Sequence, residues 1–108
     1  MDYIHALHII TDPTRYQILK LLMDRHYCVR AISKKLGISE PAVSQQMNVL
    51  KGIGIVTGKK MGYHMHYLVD VDLLKQISEQ FTHEANSVKK AESLTMECIC
   101  DYECGRRH

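Results

Sequence analysis

The chain has 108 residues, 24% charged and 45% hydrophobic, with a formal net charge of +2, which matches one soluble globular domain. Its runs free of Asp, Glu, Lys and Arg, such as Pro41–Leu50 and Met61–Val69, are too short and too polar to span a bilayer. The first residues lack a basic segment leading into an apolar run and a small-residue cleavage site, so no signal peptide and a cytoplasmic location are expected.

Tyr3–Ile10 is predicted to form a short apolar helix. Asp12 suits the N-cap of a second helix, and Pro13 suits its first position, where a missing N–H costs nothing. From Pro13 to about Asp24, Tyr16, Leu19, Leu22 and Met23 repeat at helical spacing. His26-Tyr27-Cys28 reads as a connection. Val29, Ile32, Ser33 and Leu36 then mark a short amphipathic helix that Gly37 closes. Ser39 caps the next helix, with Pro41 tolerated in its first turn. That helix runs to about Lys51 and buries Val43, Met47 and Leu50, and Gly52 and Gly54 end it. A short helix, a tight turn containing Gly and a polar-faced helix make a helix-turn-helix.

Ile55-Val56-Thr57 and Tyr63–Val69 are β-prone. Between them, Gly58-Lys59-Lys60-Met61-Gly62 predicts a hairpin with a basic tip. A longer helix follows Asp70 to roughly Leu94. Its apolar positions Leu74, Ile77, Phe81, Ala85, Val88 and Ala91 form a seam suited to pairing. Thr95–His108 has no apolar periodicity. The expected organisation is a domain over residues 1–94 and a Cys-rich tail over residues 95–108.

Charge is unevenly spread. Residues 26–67 carry Arg30, Lys34, Lys35, Lys51, Lys59 and Lys60 against Glu40 alone, a balance of +5, whereas residues 68–104 carry −5. A polyanion would meet the middle of the chain and avoid its last third. A helix exposing Ser, Gln and Asn fits the major groove of a DNA duplex, where Gln and Asn match the donor and acceptor edge of adenine. Ser39, Ala42, Ser44, Gln45, Gln46 and Asn48 are therefore expected to touch DNA. Lys59, Lys60 and His64 on the hairpin would reach an adjacent phosphate or the minor groove. Strand alternation puts His64 and His66 on one face, and that pair is read as facing DNA or solvent rather than holding a metal. No phosphate loop or catalytic triad is evident, so an enzyme is not expected. A helical adaptor would leave the basic hairpin unexplained.

These residues also carry a family resemblance. Asp12-Pro13-Thr14-Arg15 followed by Ile18-Leu19 resembles the opening of ArsR/SmtB-type winged-helix repressors. Leu36 through Leu50 is similar to their turn and recognition helix, while Gly54-Ile55-Val56 and Gly62 through Leu68 match their wing. The resemblance covers roughly residues 3–94. It implies a mainly α winged helix-turn-helix of about five helices with a two-stranded β-hairpin wing. It further implies a homodimer through the first and last helices, repressing an operator in double-stranded DNA until a small effector binds. No cofactor would be needed for DNA binding itself. Two recognition helices related by a two-fold axis would read half-sites about 34 Å apart, or a multiple of that.

The effector is less directly legible. Cys28-Val29 resembles the start of the arsenic-binding segment of some relatives, but Arg30 and Ser33 stand where the other two thiolates would be. Asp70, Asp72 and His83 resemble the last-helix zinc pattern of others, with Asp72 in place of a His and Asn86 in place of the final ligand. The tail, in contrast, holds three of the four cysteines, Cys98, Cys100 and Cys104, within seven residues. In a reducing compartment such a cluster points to metal or redox chemistry. Three thiolates suit arsenite or antimonite, while cadmium, lead or zinc would want further ligands. Some relatives carry their arsenic thiols at the C-terminus. Arsenite or antimonite at Cys98, Cys100 and Cys104 is the favoured expectation, with Cys28, Asp70, Asp72 and His83 as the lesser metal candidates. A disulfide or persulfide switch at the same thiols is the alternative.

Overall fold

The computed structural model describes residues 2–89. Over these residues the chain forms α1 (Tyr3–Ile10), α2 (Pro13–Asp24), β1 (Tyr27–Cys28), α3 (Val29–Leu36), α4 (Glu40–Gly52), β2 (Val56–Met61), β3 (His64–Val69) and α5 (Val71–Asn86). The strands form one antiparallel sheet in the order β1-β3-β2. This is the expected winged helix-turn-helix, with one strand more than the hairpin.

Short polar side chains set the helix starts. Asp12 Oδ2 accepts from the Thr14 and Arg15 amides at 3.1 Å each, satisfying two donors that the first turn leaves unpaired. Ser39 Oγ accepts from the Ala42 amide and Asp70 Oδ1 from the Leu73 amide. Helix α3 ends at Gly37, whose φ of 70° allows its amide to reach the Ser33 carbonyl at 2.9 Å. Ser33 Oγ donates to the Ile38 carbonyl at 2.5 Å and so braces the turn into α4.

The core lies where the helices meet the root of the sheet. Ile9 and Ile10 of α1, Ile18, Leu19 and Leu22 of α2, and Ile32 of α3 pack with Val43, Met47 and Leu50 of α4. Ile55, Val56 and Ile77 complete it. Two of the α2 residues that repeat at helical spacing are instead on the surface. Tyr16 is 47% and Met23 48% exposed, because Ile18 rather than Tyr16 lines up with Leu22 one turn on.

Three other expectations are corrected. Tyr27-Cys28 is a strand, with Tyr27 paired to Tyr67 and Cys28 to His66. The basic residues are not at the hairpin tip, because Lys59 pairs with His66 and Lys60 with Met65 inside the ladder. The turn is Gly62-Tyr63, with Gly62 at φ 65°, the positive value required at the first position of a type II′ turn. Helix α5 stops at Asn86 rather than near Leu94. The Ser87 hydroxyl and amide both donate to the Glu84 carbonyl, at 2.6 and 3.1 Å, and close the helix there.

Candidate nucleic-acid interface

Helix α4 has two unlike faces. Val43, Met47 and Leu50, at spacings of four and three, are buried. Ser44, Gln45 and Asn48 lie on the opposite side and are exposed. They form a short polar stripe of donors and acceptors not engaged within the chain among the described hydrogen bonds. Pro41 extends the same stripe towards the helix start.

The remaining expected contact residues on this helix are held differently. Ser39 is exposed, but its hydroxyl oxygen serves the N-cap. Ala42 is half-buried. Gln46 is also half-buried, and its Oε1 accepts from Arg15 Nη1 at 2.8 Å. Arg15 Nε donates at the same time to the Ile9 carbonyl at 2.6 Å. One guanidinium thus ties the C-terminal end of α1 to the flank of α4. It sits where the unpaired carbonyls and the helix dipole both favour a cation. The sequence marks Arg15 within a motif but does not reveal this role, because Gln46 is 31 positions away.

Basic side chains are exposed on the two elements, α3 and β2, that pack against α4. Arg30, Lys34 and Lys35 of α3 and Lys59 and Lys60 of β2 are all exposed. Lys59 and Lys60 are consecutive in a strand, so they leave the sheet on opposite faces and cannot meet one row of phosphates together. Lys35 Nζ lies 5.5 Å from the Tyr27 ring centroid and Lys51 Nζ 5.7 Å from that of Tyr67. These two cross-strand tyrosines hold lysines from α3 and α4 against the sheet by cation–π attraction. His64 is exposed beside the turn, opposite Met61.

The metal candidates are scattered. Cys28 is half-buried in β1 and precedes α3 without capping it through its side chain. Asp70 caps α5, and Asp72 and His83 stand in the first and last turns of that helix. Eleven residues at 1.5 Å each separate these two by about 16 Å along the axis. No three His, Cys, Asp or Glu side chains among the described residues are grouped to hold an ion. Cys98, Cys100 and Cys104 lie outside the described residues, as does the boundary expected between residues 94 and 95. No described helix is long and apolar enough to cross a membrane.

Apolar side chains are exposed on α1, on α5 and just past its end: Ile4 is 65%, Phe81 60% and Val88, beyond the C-cap of α5, 73% exposed. Nearby, the Tyr3 hydroxyl is shielded from solvent without a hydrogen-bond partner among the described residues. Burial first, and the Glu84 carboxylate second, raise its pKa above the ordinary value of 10.0.

Comparison with known proteins places this geometry. Residues 12–57, from the α2 cap into β2, match the family described as bacterial regulatory protein, arsR family. An uncharacterised HTH-type transcriptional regulator of Methanocaldococcus jannaschii is 43% identical over 68 residues, covering 61% of this chain and 75% of that protein. The HTH-type transcriptional repressor SmtB of Mycobacterium tuberculosis is 31% identical over 78 residues, and the match spans 71% of this chain and 58% of the repressor. The solved homodimeric winged helix-turn-helix DNA-binding domain of a possible ArsR-family regulator from Mycobacterium bovis shares the fold. Its TM-score is 0.64 at 22% identity, covering 78% of this chain and 80% of that one.

Proposed function

The chain belongs to the ArsR family of bacterial regulatory proteins, a family of transcriptional regulators rather than enzymes, and we propose that it is a homodimeric repressor released from its operator by a thiophilic ion. The observation that carries the DNA-binding part is the division of α4. Its apolar side is consumed by the core, Ser44, Gln45 and Asn48 are exposed on the other side, and α3 and β2, which pack against α4, carry exposed basic side chains. These three side chains would reach base edges, while Arg30, Lys34, Lys59 and Lys60 would meet phosphates and give affinity that falls with salt. Gln46 acts as a positioning residue that keeps the stripe aimed, through its bond to Arg15. Ser39 and Ala42 approach the backbone of the duplex at the helix start, and His64 approaches it from the wing.

The exposed apolar residues of α1, of α5 and of the segment just after it support the dimer, since Ile4, Phe81 and Val88 gain by leaving water. A two-fold axis through these helices would present both α4 stripes to one face of the duplex.

For the effector, Cys98, Cys100 and Cys104 supply the three thiolates that a pyramidal metalloid ion takes. Arsenite enters as its trihydroxide. Three S–As bonds form as three As–O bonds break, each thiol proton leaves with a hydroxyl as water, and no electron is transferred. The tail follows the dimer-forming α5 in sequence, so an ion bound there would bias that pairing. It can release DNA only to the extent that it binds the free and DNA-bound dimers with different affinity.

The test is fluorescence anisotropy on the DNA upstream of the protein's own coding region, under reductant. Arsenite, antimonite, cadmium, lead and zinc would be titrated in parallel. Release at about one arsenite or antimonite per chain, abolished by Cys→Ser at the three tail positions, is expected. Release by an oxidant alone would replace the ion with a thiol switch.

A further inference from the structure

One corner of the sheet carries a histidine pair that joins the end of α2 to β3. His26, in the loop after α2, and His66, in the middle of β3, place their Nδ1 atoms 2.9 Å apart across 40 positions of sequence. Their rings meet edge to face, with centroids 4.9 Å apart and planes at 72°. The strand register sets Cys28 directly opposite His66, so the two side chains leave the sheet on the same face. His26 precedes Cys28 by one intervening residue.

We propose that His26, His66 and Cys28 form a binding site for a borderline divalent transition-metal ion, of the class of Co(II), Ni(II) or Zn(II), separate from the tail thiols. Two neutral imidazoles in contact through their Nδ1 atoms must share one proton, donated by one ring into the in-plane lone pair of the other. Replacing that proton by a metal ion uses both lone pairs at once. Metal–imidazole bonds are about 2.0–2.1 Å long, so two such nitrogens lie about 2.9 Å apart at a right angle and about 3.3 Å apart in a tetrahedron. The observed separation is that of an N–H···N hydrogen bond, and a side-chain shift of a few tenths of an ångström would open it to the tetrahedral value.

Two imidazoles alone hold an ion weakly, and the thiol is the third donor. As the side chains lie, the three groups are not gathered into a ligand cluster. A directly opposed pair has Cβ atoms about 4.5–5.5 Å apart, so rotation of Cys28 about χ1 brings its sulfur within reach of an ion held by His66. This donor set differs from three thiolates around α3, two of which are replaced here by Arg30 and Ser33. Lys59, opposite His66 on the other side, opposes a cation and sets a limit on affinity. A bound ion would join the end of α2, β1 and β3, fastening the wing to the helices that carry it.

The proposal is independent of DNA binding and is tested with Co(II) on the untagged full chain carrying Cys98→Ser, Cys100→Ser and Cys104→Ser. One Co(II) per chain is expected, with visible d–d absorption and a thiolate-to-cobalt charge-transfer band. His26→Ala or His66→Ala should weaken binding about tenfold or more, and Cys28→Ser should remove the charge-transfer band. His66→Gln keeps a hydrogen-bonding partner for His26 and guards against loss through misfolding. It should show the same circular dichroism and the same loss of Co(II). Lys59→Met should tighten binding about threefold. His5→Ala and His8→Ala, on exposed positions of α1, should change nothing. Failure to bind Co(II), or binding that His26→Ala and His66→Ala leave unaltered, overturns the proposal.

Discussion

Replacing Arg15 by alanine is expected to destabilise the protein by about 2–3 kcal/mol, although it removes nothing from the apolar core. The guanidinium makes two part-buried bonds, to the Ile9 carbonyl at 2.6 Å and to Gln46 Oε1 at 2.8 Å. A hydrogen bond involving a charged group contributes about 1.5–3 kcal/mol, and a partner left unpaired and shielded adds to the cost. Solvent can reach part of this site, so the two bonds are counted at less than their full sum. For a domain of this size the loss corresponds to a fall in Tm of about 10 °C or more. Urea unfolding should be followed at one fixed protein concentration, because the proposed dimerisation would add to apparent stability by mass action. A double-mutant cycle with Gln46→Ala should give a coupling of about 1 kcal/mol. A loss below about 0.5 kcal/mol for Arg15→Ala, with no coupling to Gln46, would refute the role assigned to this link.

Gly37→Ala should cost about 1 kcal/mol, because a Cβ at φ 70° is strained although it meets no neighbouring atom; Gly37→Asn should cost less in the same unfolding assay. The raised pKa of Tyr3 means that the folded chain keeps its phenolic proton where the unfolded chain has lost it. The contribution of Tyr3 to stability should therefore be constant below about pH 10 and be lost as pH rises towards the folded value, and Tyr3→Phe should remove that part of the alkaline decline. Phe81→Glu places a charge on the exposed apolar face of α5; sedimentation should show dissociation to monomers with helix content retained, and an unchanged dimer would exclude this face from the interface.

What the sequence made legible was local. Asp12-Pro13, Gly37 and Ser39 act within a few residues of themselves, and each does in the structure what its chemistry suggests. The hairpin strands were legible too, but not their register. Gly58 looks like a turn glycine, yet it lies in β2, where an added Cβ would meet Met65 Sδ at 2.9 Å and the Tyr67 ring at 3.3 Å. Gly62 alone has the backbone angle of the turn, and this moves Lys59 and Lys60 from the tip into the ladder.

Two non-local contacts and one local turn account for the remaining differences. β1 has only two residues, too few for an alternation pattern, and exists because β3 offers it an edge. Gln46 looks like a groove-reading side chain until Arg15 engages it. The seam of α5 continues in the sequence through Val88 and Ala91, but Ser87 turns back onto the Glu84 carbonyl and ends the helix. The tail cysteines were legible as a cluster, and their arrangement lies outside the described residues.

The most direct measurement is the affinity of the protein for its upstream DNA and for a scrambled duplex, across a range of salt. It should be made for the parent chain and for Gln45→Ala, Asn48→Ala and Lys60→Ala. Gln45→Ala and Asn48→Ala should each lose about 1–3 kcal/mol on the operator and little on the scrambled duplex. Lys60→Ala should weaken binding to both duplexes alike. It should also flatten the salt dependence by about one counterion per subunit, since each lysine neutralises one phosphate. Equal affinity for the two duplexes, unaltered by Gln45→Ala and Asn48→Ala, would contradict the assignment of α4 as the sequence-reading element.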